Sequence, residues 1–164
     1  MAGQSLFRNS FHSSDSVGAP GTENGGMNIT LLGQRMELQI HTLKVTQPNQ
    51  RIDFELLSKV QNERIVGFFI TSDEVVENEL MKDVNHSTIS LNIDNTEIFP
   101  SETDASLFTQ KMASGFYENM YDSINEKAGA TSIKGTYISG GPRTCPERGY
   151  TVKLYFVETA KTKS

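Results

Sequence analysis

Three histidines, a single cysteine and one run of carboxylates are the residues of this 164-residue chain best suited to chemistry. His12, His41 and His86 are far apart in sequence. No H-x-H pair sets two imidazole nitrogens on one strand face, which is how a β-barrel builds a metal centre, so no metal site is expected. Each histidine reads as a surface residue: His12 in a leader, His41 on the polar side of its strand and His86 in a loop. Cys145 has no partner for a disulfide and no histidine near it in sequence, which suggests an incidental thiol. Asp73/Glu74 and Glu77/Glu79 fall in one acidic loop. A loop fixes no separation between two carboxyls, so a glycosidase pair has no support, and the D-x-D-x-D-G register of a calcium loop is missing. There is no G-x-S-x-G elbow, and Gly25-Gly26 and Gly140-Gly141 lack both the phosphate-loop lysine and dinucleotide spacing. No catalytic residue and no cofactor are therefore expected, and an enzyme is not.

The loop GGPRTCPERGY, residues 140–150, stands apart. Three glycines and two prolines restrict its path, and Arg143 and Arg148 would project from it. It reads either as a subunit contact or recognition tip, or as a long hairpin connection carrying scattered charge. Net charge is −5 and the basic residues form no stripe, which argues against nucleic-acid binding. No apolar run reaches the roughly 20 residues of a membrane helix. The opening MAGQSLFRNSFHSSDS has no apolar core of the secretory kind, so folding in a cytoplasm is expected.

The elements that would position such a loop are mostly strands. In STISLNIDNTEIFP, residues 87–100, Ile89, Leu91 and Ile93 alternate with Ser90, Asn92 and Asp94 before Asn95-Thr96 interrupts the pattern as a tight turn. Ile52, Phe54 and Leu56 alternate in the same way, and so do Tyr150, Val152, Leu154 and Phe156. Met36, Leu38 and Ile40 begin a strand whose phase slips at Leu43 and Val45, as a β-bulge would make it do. Arg64–Ile70 is nearly all apolar, which suits a central strand. Residues 105–112 predict a weaker strand, and Ile133, Tyr137 and Ile138 mark another. Phe116, Met120 and Ile124 recur every fourth residue, so the spacing predicts one amphipathic helix over 114–129, capped by Ser114 and Gly129. A helical turn is also predicted at 72–82.

About eight antiparallel strands and one inserted α-helix predict an all-β fold, a two-sheet antiparallel sandwich of single jelly-roll type. Residues 1–26 hold five of the 13 glycines and only three charges, which predicts an extended N-terminal arm ahead of a jelly-roll domain at 27–164. Leu6, Phe7 and Phe11 are the arm's bulky anchors, and an arm of this kind finds burial on a neighbouring subunit.

The strand texture of IDFELLSKV, ERIVGFFITSDEVV and STISLNIDNTEIFP, closed by YTVKLYFVE, resembles the single jelly-roll vertex (penton) proteins of tailless icosahedral bacteriophages. The resemblance spans about residues 34–158. It implies a capsid protein of the virion, assembled in the host cytoplasm. Five copies would form a homopentamer, with the major capsid proteins as neighbours and a spike protein as a further partner. Leu6, Phe7, Phe11, Arg143 and Arg148 are the expected subunit contacts. The arm is not arginine-rich, so protein neighbours fit it better than the genome. A carbohydrate- or receptor-binding jelly-roll module is the alternative, although the chain has no tryptophan for a sugar platform.

Overall fold

The computed structural model describes residues 24–31, 34–109 and 120–161. Its strands are β1 (Asn24–Leu31), β2 (Gln34–Val45), β3 (Arg51–Leu57), β4 (Asn62–Ser72), β5 (Thr88–Ile93), β6 (Thr96–Asp104), β7 (Glu126–Lys127), β8 (Ser132–Ile138) and β9 (Tyr150–Ala160). They form two antiparallel sheets, ordered β1-β2-β9-β4-β7 and β3-β8-β5-β6. β2 pairs with β9, β3 with β8, β4 with β7 and β5 with β6. The two halves of the chain thus run beside each other as one ribbon folded at Asp94-Asn95, where Asp94 takes φ +54°. Asn24, Gly25 and Gly26, counted with the arm by composition, lie in edge strand β1.

The alternating segments face as their pattern predicts. Phe54 and Leu56 of β3, Ile89, Leu91 and Ile93 of β5, and Val152, Leu154 and Phe156 of β9 are buried between the sheets. Phe68 of β4 is the hub, with ring centroids 5.2 Å from Phe156, 5.5 Å from Phe99 and 5.5 Å from Phe108. Offset and edge-on contacts of this kind stabilise beyond the area they bury. A second apolar cluster lies on the outer face of the five-stranded sheet, where Leu38, Phe69 and Val157 meet Met36, Val66, Met120 and Tyr155. Phe69 and Tyr155 stack there at 4.4 Å and 9°. A Cβ on Gly67 would lie 2.6 Å from Sδ of Met120, so only glycine lets that side chain lie on the strand.

Four expectations are corrected. β2 carries no bulge, since its pairing with β9 runs unbroken from Met36↔Thr159 to Val45↔Tyr150. The pattern appeared to slip because Gln39 and His41 occupy the inner face alongside Leu43 and Val45, while Leu38 turns outward. The bulges are in β4, at Asn62/Arg64 and Ile65/Gly67, and between β5 and β6. Residues 105–112 do not open as a strand, because Ala105–Phe108 form a 3₁₀ turn that drives Phe108 onto Phe99 at 4.3 Å.

The predicted turn at 72–82 becomes two 3₁₀ turns, Glu79–Met81 and Asp83–His86, the first capped by the Asn78 side chain. Of the predicted helix, residues 110–119 lie outside the described residues, and Met120–Gly129 forms no helix, with only Glu126–Lys127 in a strand. Tyr121 exchanges both backbone hydrogen bonds with Phe68, at 2.9 and 3.0 Å. Met120 joins the outer cluster and Ile124 the inner core, whereas a helix would set both on one stripe.

Candidate functional site

Three connections gather at one end of the sandwich: β2–β3, β4–β5 and β8–β9. Asn49 N–H donates to Gly140 O at 2.9 Å and Ser139 N–H to Gln50 O at 3.0 Å, which joins the first to the third. Asp83, 0 % exposed, joins the second to the third. One carboxylate oxygen accepts the Tyr150 hydroxyl at 2.6 Å and Gly140 N–H at 3.0 Å, and the other accepts the Thr144 hydroxyl at 2.5 Å. Glu74 closes the base of the β4–β5 loop by accepting Asp83 N–H at 2.7 Å, Val84 N–H at 3.1 Å and the Ser72 hydroxyl at 3.1 Å. Both buried carboxylates have donors on each oxygen, so neither is left with the penalty of a stranded charge.

Glycine makes the approach possible. A Cβ at Gly140 would lie 2.2 Å from an Asp83 oxygen. Gly149, at φ +68°, brings the loop back to β9 where a Cβ would meet Val45 O at 2.1 Å. Burial raises the Glu74 carboxyl, against its three hydrogen bonds and aided by the Asp83 charge. Burial likewise raises the phenols of Tyr137 and Tyr150, whose hydroxyls lie 2.9 Å apart, so both remain neutral donors.

These groups hold the loops together, and Glu74 with Ser72 and Val84 also lines the wall of a cleft. The cleft, of about 730 Å³, is lined further by Ile70, Glu79, Leu80, Lys82, His86 and Thr109 among others. Its polar side chains are engaged: Glu79 and Lys82 pair at 3.7 Å, and His86 Nε2 lies 2.8 Å from Leu80 O. Among the described residues, no group of three or more His, Cys, Asp or Glu could hold a metal.

This end presents large apolar side chains to water among its exposed charges. Val75 is 97 % exposed, Leu80 75 %, Leu107 67 % and Met81 50 %. The 3₁₀ turns that carry Leu80, Met81 and Leu107 each pack against the Asp83–His86 turn.

Arg143 and Arg148 are both exposed on the braced β8–β9 loop, and neither forms an ion pair with a described residue. Leu6, Phe7 and Phe11 lie outside the described residues, as does His12. His86 is exposed, but the expectation for His41 is corrected: it is 3 % exposed, on the inner face, with its ring 5.8 Å from that of Phe54. Burial lowers its affinity for a proton. Cys145 is buried beneath the loop, and burial together with the Asp83 and Glu74 charges raises its thiol. Within the acidic loop Glu74 is buried, whereas Asp73, Glu77 and Glu79 are exposed. Asp83 and Tyr150 were invisible as a pair because 67 positions separate them.

No helix among the described residues is long and apolar enough to cross a membrane. No protein-family model, curated protein or solved structure was found to match the chain.

Proposed function

We propose that the chain is a structural subunit of a symmetric protein shell, specifically the pentameric vertex protein of an icosahedral virus. The nested pairing of β2 with β9, β3 with β8, β4 with β7 and β5 with β6 supports a jelly-roll reading of the sandwich, because a wound antiparallel ribbon pairs its strands in this way. The attachment of the arm to an edge strand, β1, supports a role for residues 1–23 outside their own sandwich.

The observation that carries the proposal is the loop end itself. Large apolar side chains stand in water there on loops that buried hydrogen bonds hold still. Exposed apolar groups gathered at one place mark a surface meant to be covered. Bracing those loops beforehand lowers the ordering entropy that association must overcome. Deleting residues 1–23 is expected to leave a folded sandwich that no longer assembles with its neighbours. Circular dichroism and particle assembly, followed by electron microscopy, check this. An unfolded truncation, or one that assembles like the full chain, contradicts it.

A further inference from the structure

The outer face of the five-stranded sheet holds a groove of about 530 Å³, lined by Thr42 and Lys44 of β2, Thr71 and Ser72 of β4, Asp73, and Thr151, Lys153 and Tyr155 of β9. Its pattern follows from register. Lys153 lies between Thr42 and Thr71 on the neighbouring strands, and Lys44 lies opposite Thr151. Val152 and Leu154 between them point into the core, so Thr151 and Lys153 must face out. Both lysines are exposed, and neither pairs with a carboxylate among the described residues. The one acid on the rim, Asp73, already accepts Thr151 N–H at 2.7 Å. The groove is therefore a cationic, hydroxyl-lined strip with unused hydrogen-bonding capacity.

The same molecule carries a matching shape. Val75–Glu79 forms a knuckle at the loop end, with Glu77 and Glu79 exposed and Val75 almost wholly in water. Its stem is fixed by Glu74 on one side and by the Asn78 side chain, which accepts Leu80 N–H at 3.0 Å, on the other. That exposure shows the knuckle does not sit in its own groove. We infer that the knuckle of one copy seats in the Lys44/Lys153 groove of a second copy, with Glu77 and Glu79 against the two ammonium groups, Glu79 exchanging its long 3.7 Å pairing with Lys82 for the new one. This rests on the shell reading and names the contact that would join its subunits.

The two patches differ, so the contact is heterologous and must either close into a ring or run on as a fibre. The shell reading requires the closed ring.

Charge reversal of exposed residues tests the inference without disturbing the core. Lys44→Glu/Lys153→Glu and Glu77→Lys/Glu79→Lys are each expected to weaken self-association of the full chain by about tenfold or more, because like charges then meet across the contact. Their melting temperatures should stay at the wild-type value. A chain with all four changes is expected to associate again, since its reversed groove fits its reversed knuckle. If either double variant folds poorly, Lys44→Gln/Lys153→Gln keeps the fold and is expected to weaken association in the same direction.

Sedimentation of each protein over a concentration series gives the readout. Wild type that assembles while both double variants assemble equally well overturns this contact and leaves the shell reading standing. Loss in the double variants with no recovery in the fourfold variant also overturns the contact. A wild type that stays monomeric at every concentration overturns both readings. If that monomer binds a sulfated oligosaccharide through Lys44 and Lys153, the groove is a glycan site instead.

Discussion

Two buried carboxylates at opposite ends of the sandwich have been handled in opposite ways. Asp83 at the loop end receives two hydroxyls and a backbone N–H from the β8–β9 side, and both of its oxygens are served. Glu158, near the far end of β9, is just as buried, yet only one of its oxygens is served, by the Asn62 side chain and Lys59 N–H. Its other oxygen has no hydrogen-bond partner among the described residues, and neither does Asn62 Oδ1. A second carboxylate, Glu37, shares the Asn62 side-chain amide with it and pairs with the Lys59 ammonium.

The comparison separates two uses of buried charge. The Asp83 site acts as a rivet, because donors from the β8–β9 segment serve both of its oxygens and tie that segment to the β4–β5 loop. The Glu158 site holds more negative charge than its one ammonium offsets, and it stores an electrostatic penalty. The rivet lies where the proposed contact surface must be held still.

The comparison can be broken most sharply at the rivet. Asp83→Ala strands the Tyr150 and Thr144 hydroxyls and Gly140 N–H in a dry site. It is expected to lower unfolding free energy by about 3–5 kcal/mol, measured by urea denaturation. A loss under about 1 kcal/mol would mean that the loops are held by something else. Tyr150→Phe removes one hydroxyl donor and should cost about 1–3 kcal/mol, with weaker protection of the 140–149 amides in hydrogen exchange.

Glu158→Gln should go the other way, raising stability by about 1 kcal/mol at pH 8, since a neutral amide oxygen can accept the same two donors. Burial, helped by the Glu37 charge, holds the Glu158 carboxyl above the ordinary carboxylate range, against the Asn62 and Lys59 hydrogen bonds. The folded chain therefore binds that proton more tightly than the unfolded chain does. Wild-type stability falls as pH rises from the unfolded value of about 4.5 through the raised one. The advantage of the glutamine variant in melting temperature should grow with pH over that window and then level off. Equal advantages at pH 4 and pH 8 would show that Glu158 is not the group responsible. Arg143→Ala is expected to change stability by less than about 0.5 kcal/mol, because that side chain is exposed and unpaired, so any effect on assembly comes from the surface alone.

How much could be read from the chain follows the same division. β3, the β5–β6 hairpin and β9 were legible because one face is dry and the other wet, and alternation records that. β2 misled because Gln39 and His41 are polar side chains on a dry face, with Gln39 donating to Leu57 O at 2.8 Å. Met120 and Ile124 imitated a helix because the five-stranded sheet is apolar on both faces, and each residue goes to a different one. The rivet left no local pattern. Its parts are Glu74, Asp83, Gly140, Thr144 and Tyr150, and only the folded ribbon brings them together. The loop with Arg143 and Arg148 was legible as a shaped loop from its glycines and prolines, while what shapes it was not.

The native mass of the full chain, followed from low to high concentration, bears most directly on the shell reading. A closed ring of five copies forming as concentration rises is the predicted result. A single chain at every concentration, with Val75, Leu80 and Leu107 still in water, would contradict it.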